Sequence, residues 1–137
     1  MREIRFRGKR LDNGEWVYGY LIGKDVIVGD IVEFCEEYFN CEYWWRVDPK
    51  TVGQSTGLKD KNGKEIYEGD VIETEKMEYS DSGHYIGMVK VLGKVVFSNG
   101  RYALHLETGA MPDLSFALSF HEIIGNIHDH PHLLKGA

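Results

Sequence analysis

Four scarcities narrow this sequence before any motif is read. Only two cysteines occur in 137 residues, Cys35 and Cys41. They lack the CxxC spacing of a zinc or redox site, and no second pair exists to complete four metal ligands. On a single strand they would point the same way about 20 Å apart, beyond the reach of a disulfide. Reduced thiols are the expectation. Prolines number three. No apolar run approaches the ~20 residues that cross a bilayer. The opening Met1–Arg7 interleaves charged and apolar residues and does not read as a signal peptide, so a cytoplasmic protein without membrane contact is expected. An excess of positive charge is also missing. The formal net charge of −6 counts against nucleic-acid binding through a uniformly basic surface, though not against a local basic stripe. It is too modest for a DNA mimic, despite the acidic stretches Glu33 to Glu42 and Glu73 to Asp81.

Glycine, by contrast, is abundant, with 16 residues in a chain rich in Val, Ile, Tyr and Phe. That combination predicts short strands joined by tight turns. Ile4-Arg5-Phe6-Arg7 alternates apolar and charged residues as a half-buried strand does. After Asn13-Gly14, Trp16, Tyr18 and Tyr20 fall on one face and Val17, Gly19 and Leu21 on the other. Asn-Gly between β-type runs is a strong hairpin signal, because both residues tolerate positive φ. It recurs at Asn62-Gly63 and at Asn99-Gly100.

Val26–Val28 and Ile31–Phe34 read as two short strands around a Gly29-Asp30 turn. Residues 73–84 are polar and read as a mobile loop, and Met88–Phe97 as one long or two short strands. Helix candidates are few, namely residues 33–41 and a single turn at Pro131–Lys135. The expected fold is mostly β (β or α+β), with hairpin-rich twisted sheets and at most one short helix. An N-terminal hairpin region, 1–49, precedes an SH3-like barrel-type unit, 50–137.

Two further stretches carry more than generic β character. Thr51–Ile72 contains Gly57-Leu58, Asp60, Asn62-Gly63, then Ile66-Tyr67-Glu68-Gly69-Asp70. Near the end stand Ile124-Gly125-Asn126-Ile127, shortly before Leu133-Leu134. With the opening Glu3–Gly8, these resemble, in order and spacing, the YopX family of phage and prophage proteins. The resemblance implies a small, mostly β protein carried by a phage or prophage. It carries over no catalytic or binding residues, since the family has no established biochemical activity. Physically the motif reads as structural. It combines a charged hairpin tip, a Gly69-Asp70 bend into the apolar Val71-Ile72, and a turn or bulge at Gly125-Asn126.

Candidate chemistry is thin. His128, His130 and His132 flank Asp129 and are the right ligand types for zinc. A short cluster of this kind lacks evident outer partners to orient it, so no metal or other cofactor is expected. His121-Glu122 and His105 with Glu107 could be written as acid–base pairs, yet neither has a nucleophile or oxyanion context. For His105 and Glu107, on one strand face, an ion pair is the simpler account. No GxxxxGK[ST], GxGxxG or GxSxG occurs. The most distinctive surface candidate is Tyr43-Trp44-Trp45-Arg46. It reads as one ring in the core and one in a protein contact, or as a stacking platform for bases.

The resulting expectation is a non-catalytic binding module that self-associates or binds a host or phage protein. A nucleic-acid-associated module is the second reading, and a metal-dependent enzyme built on the histidines the third.

Overall fold

The computed structural model describes residues 4–34 and 39–134, with the backbone alone described for residues 30–34 and 39–42. Ten strands follow in order: β1 (Phe6–Lys9), β2 (Trp16–Ile22), β3 (Val26–Phe34), β4 (Phe39–Arg46), β5 (Gly53–Lys59), β6 (Glu65–Tyr67), β7 (Asp70–Tyr79), β8 (Tyr85–Ser98), β9 (Arg101–Leu106) and β10 (Glu122–Asn126). Three single 3-10 turns, at Pro49–Thr51, Leu118–Phe120 and Pro131–Leu133, are the only helical segments among the described residues. The mostly β expectation holds. The chain divides into two compact units, one extending to Gly57 and one beginning at Leu58.

In the first unit the strand order is β4-β3-β2-β1-β5, and the neighbours pair antiparallel. Alternation in β2 buries Val17 and Gly19 and exposes Tyr18. Val17 joins Ile27 and Val47 in a core that Phe6, Leu21, Trp45 and Val52 flank. The ends of β1 and β4 also meet. Leu11 N–H donates to the Arg46 carbonyl at 3.0 Å, and Asp48 N–H to that of Lys9 at 2.9 Å. Gly19 is demanded by contact, because a Cβ there would lie 2.1 Å from the Val28 carbonyl oxygen.

Two expectations fail here. Gly29-Asp30 is not a turn but the middle of one nine-residue strand, β3; both residues extend readily when a partner strand supplies the ladder. The helix considered at 33–41 is strand over 33–34 and 39–41, while residues 35–38, with Cys35, lie outside the described residues. Cys41 stands in β4 opposite Ile31.

The second unit opens with the end of β5, the turn at Asp60–Lys64 and β6. Its sheet has the order β10-β7-β8-β9. No pairing among the described residues joins β9 to β10, so the barrel-type unit is a sheet with two edges. The long hairpin of β7 and β8 closes at Ser80–His84, where Ser80 N–H donates to the His84 carbonyl at 2.8 Å. The polar segment 73–84 is therefore mostly strand. Its register pairs Met77 with Met88 and Tyr79 with Tyr85, and cross-strand pairs of this kind stabilise a ladder that composition alone does not reveal. Ile66, Ile72, Val91, Val95, Leu104, Leu106 and Leu114 form the core.

Candidate functional site

The Tyr43–Arg46 segment is the last half of β4, set against β3 by the pairs Gly29–Tyr43, Val28–Trp44, Ile27–Trp45 and Val26–Arg46. Strand alternation sends the two tryptophans to opposite faces. Trp45 packs on the first unit's core, with its ring over Gly29, where a Cβ would come within 3.3 Å of it. Tyr43 stacks on Trp45 with centroids 5.7 Å apart and planes 12° from parallel. Trp44 is 62% exposed. Arg46 reaches Asp25 at 3.3 Å. Beside Trp44, Arg10 is held by both oxygens of Asp12. Arg10, Leu11, Asp12, Trp44, Trp45 and Arg46 together line a shallow cleft of about 320 Å³. Each of its two guanidinium groups is thus paired with a neighbouring carboxylate, and its exposed apolar surface is made by Trp44 and Leu11.

The motif residues lie in turns and core. Gly57, Gly63 and Gly69 have φ of 78°, 81° and 89°, a region that favours glycine. Ile66 and Tyr67 are buried, and Leu58 packs against the second unit's core. Asp60 Oδ1 accepts the N–H groups of Asn62 and Lys64, both at 2.9 Å, and its Oδ2 accepts that of Ile123 at 3.0 Å. Burial opposes ionisation of Asp60, but these three amides outweigh it and hold the carboxyl below its usual range. Glu68 occupies the turn between β6 and β7. At the same bend, Asp70 accepts from Tyr67 N–H at 2.8 Å while Gly69 N–H donates to the Val95 carbonyl at 3.0 Å.

Gly125 follows a register shift between β10 and β7, the predicted bulge, next to the half-exposed Ile124. Asn126 organises the turn after it. Its Oδ1 accepts from His128 N–H at 3.0 Å and Asp129 N–H at 2.9 Å, and its Nδ2 donates to Asp129 at 3.2 Å.

The histidines are drawn into this scaffold. His130 Nδ1 faces Asn126 N–H at 3.3 Å, and its ring lies 6.2 Å from that of His132. Among the described residues no group of three or more His, Cys, Asp or Glu side chains is arranged to hold a metal ion. The two candidate acid–base pairs do not form. His121 is buried, with Nδ1 2.8 Å from Thr74 Oγ1 and Nε2 3.1 Å from the Leu114 carbonyl. The carbonyl can only accept, so Nε2 carries the proton and Nδ1 accepts from Thr74. Burial holds the His121 pKa below its usual value. Glu122 turns instead to Asn62 and Lys61. Glu107 accepts from Leu92 N–H at 3.1 Å, in place of the ion pair expected with His105.

An apolar cavity of about 540 Å³ opens in the second unit, between β7, β8, β9 and the segment 110–121. Phe116 and Phe120, in a stretch that carries no clear strand or helix pattern, were its only signal.

The sequence model of the family described as YopX protein matches residues 5–135. Among solved structures, the crystal structure of protein EF1440 from Enterococcus faecalis is similar. It has a TM-score of 0.61 and 24% identity, covering 97% of this chain and 99% of that one. At that identity the likeness is one of fold. No curated protein matches. No helix among the described residues is long and apolar enough to cross a membrane.

Proposed function

We propose that this chain, which belongs to the YopX family, is a phage- or prophage-encoded accessory protein of the bacterial cytoplasm that acts by binding protein. Its partner is a second copy of itself or a host factor, and it performs no catalysis. The observation that carries this reading is the contrast within β4. Trp45 is anchored in the core while Trp44 stands 62% exposed between two arginines. A rigidly backed aromatic flanked by Arg is the composition of interface hot spots. The surrounding Arg10–Asp12 and Arg46–Asp25 pairs resemble the polar rim of such a contact.

The same cleft supports the second reading, base stacking on Trp44 with help from Arg. The carboxylates beside both arginines weaken it. Affinity capture from bacterial lysate, split into nuclease-treated and untreated halves, separates the two. A protein retained in both halves supports the protein contact, whereas retention only without nuclease supports nucleic acid. A monomer by light scattering at every concentration would remove self-association.

A further inference from the structure

We propose that two copies of this chain join along the outer edge of β7, residues 75–79 of one pairing antiparallel with residues 75–79 of the other about a two-fold axis at Met77. Strand β10 pairs with β7 at residues 70–73, and β9 pairs with β8 at residues 93–98. Over residues 75–79, β7 has β8 as its one strand neighbour among the described residues. A two-stranded ribbon is marginal by itself, and its unpaired N–H and C=O groups are a template for a further strand. The two edges of the ribbon differ. Glu78 pairs with Gly87 and Tyr79 with Tyr85, so Ile86 is an extra residue on β8, a bulge of the kind that blunts an edge. β7 carries no extra residue over the same stretch.

The open stretch is bounded at both ends. Thr74 is held by His121, with Oγ1 and Nδ1 2.8 Å apart, and Ser80 begins the turn that closes on His84. Residues 75–79 remain, and Met77 is their midpoint. A two-fold axis pairs residues equally spaced on either side of it, so full use of the open stretch sets Met77 against its own copy.

The charges select the same register. It sets Lys76 of each copy opposite Glu78 of the other, twice over, and Glu75 opposite Tyr79. Residues directly opposite on antiparallel strands point to one face, where opposite charges stabilise the ladder and like charges destabilise it. Lys76 and Glu78 are both exposed, and no ion pair among the described residues engages either. Moving the axis by one residue would set Lys76 against Lys76 or Glu78 against Glu78. Met77, 59% exposed beside its cross-strand partner Met88, gains an apolar neighbour on the axis.

Sedimentation velocity on the full chain over a range of concentrations tests this by charge exchange. The wild type should show a concentration-dependent dimer. Lys76→Glu and Glu78→Lys should each weaken it about tenfold, because each turns both attractive pairs into repulsive ones. An equimolar mixture of the two variants should regain the wild-type affinity, since one supplies two acidic positions and the other two basic ones. The double variant Lys76→Glu/Glu78→Lys should regain it alone, which separates lost pairing from lost folding. A wild type that stays monomeric, or single variants that dimerise as the wild type does, would overturn the β7 edge as the contact. Weakening without recovery in the mixture and in the double variant would overturn the register. The edge lies in the second unit and Trp44 in the first, so Trp44→Ala should dimerise unchanged, and loss of the dimer in that variant would also overturn the proposal.

Discussion

Asp60 and Ile123 are joined by a hydrogen bond of 3.0 Å from the Ile123 amide to Asp60 Oδ2, across 63 residues of sequence. The other oxygen of the same carboxylate closes the Asn62-Gly63 hairpin, and Lys61 N–H donates to the His121 carbonyl at 2.8 Å. One side chain thus shapes a turn and docks it on the start of β10.

Asp60→Asn should destabilise the protein by about 2–4 kcal/mol in urea denaturation, because an amide cannot accept at both ends and leaves an N–H unmatched. The ionised form is favoured in the folded state. The unfolded chain takes up a proton near 3.8, and the folded carboxyl only at lower pH. Stability from Asp60 is complete above that value and is lost as pH falls through the folded pKa. The acid limb of the stability profile should flatten in Asp60→Asn.

His121 has the opposite chemistry but shifts stability in the same direction. Its pKa lies below the usual 6.5 because burial disfavours the cation. Below pH 6.5 the unfolded chain binds a proton that the folded histidine refuses. Stability is therefore level above 6.5 and declines as pH drops below it, until the folded pKa is passed. His121→Gln should remove that decline, as read by denaturation at pH 7.5 and 5.5.

Gly125→Ala tests the family motif by packing alone. A Cβ there would lie 2.7 Å from His130 Nδ1 and 3.0 Å from Leu133 Cδ1, and overpacking of this kind costs about 1–3 kcal/mol. His130→Ala removes the obstructing ring. The double variant should be more stable than the sum of the two single effects predicts, a non-additivity that a double-mutant cycle measures.

Much of the frame was legible in the sequence. The Asn-Gly turns, the faces of β2, the bend at Gly69-Asp70 and the bulge at Gly125 each follow from a local rule that tertiary structure did not override. Asn99 and Gly100 both adopt positive φ, 54° and 78°, as a two-residue hairpin demands. What was hidden depended on partners far away. Residues 73–79 look like a loop until Tyr85–Leu92 pairs with them. His121 reads as half of an acid–base pair with Glu122 until Thr74 and the Leu114 carbonyl engage both its nitrogens. At Tyr43–Arg46 alternation gave opposite faces for the two tryptophans. Which ring entered the core was settled by Gly29, whose missing side chain makes room for Trp45.

The two tryptophans should behave differently on truncation. Trp45→Ala removes core packing and the Tyr43 stack, and should cost roughly 2–3 kcal/mol, below the range for fully buried aromatics. Trp44→Ala should change stability by no more than about 0.5 kcal/mol, as exposed substitutions usually do.

That difference makes Trp44 the most direct probe of the proposed binding role. Wild-type protein and Trp44→Ala should be used side by side to capture partners from nuclease-treated bacterial lysate, with quantification by mass spectrometry. The account predicts a protein, host factor or second copy, enriched by the wild type and reduced at least tenfold with Trp44→Ala, while both proteins unfold at the same denaturant concentration. Equal recovery with the two, or recovery only where nuclease is omitted, would contradict it.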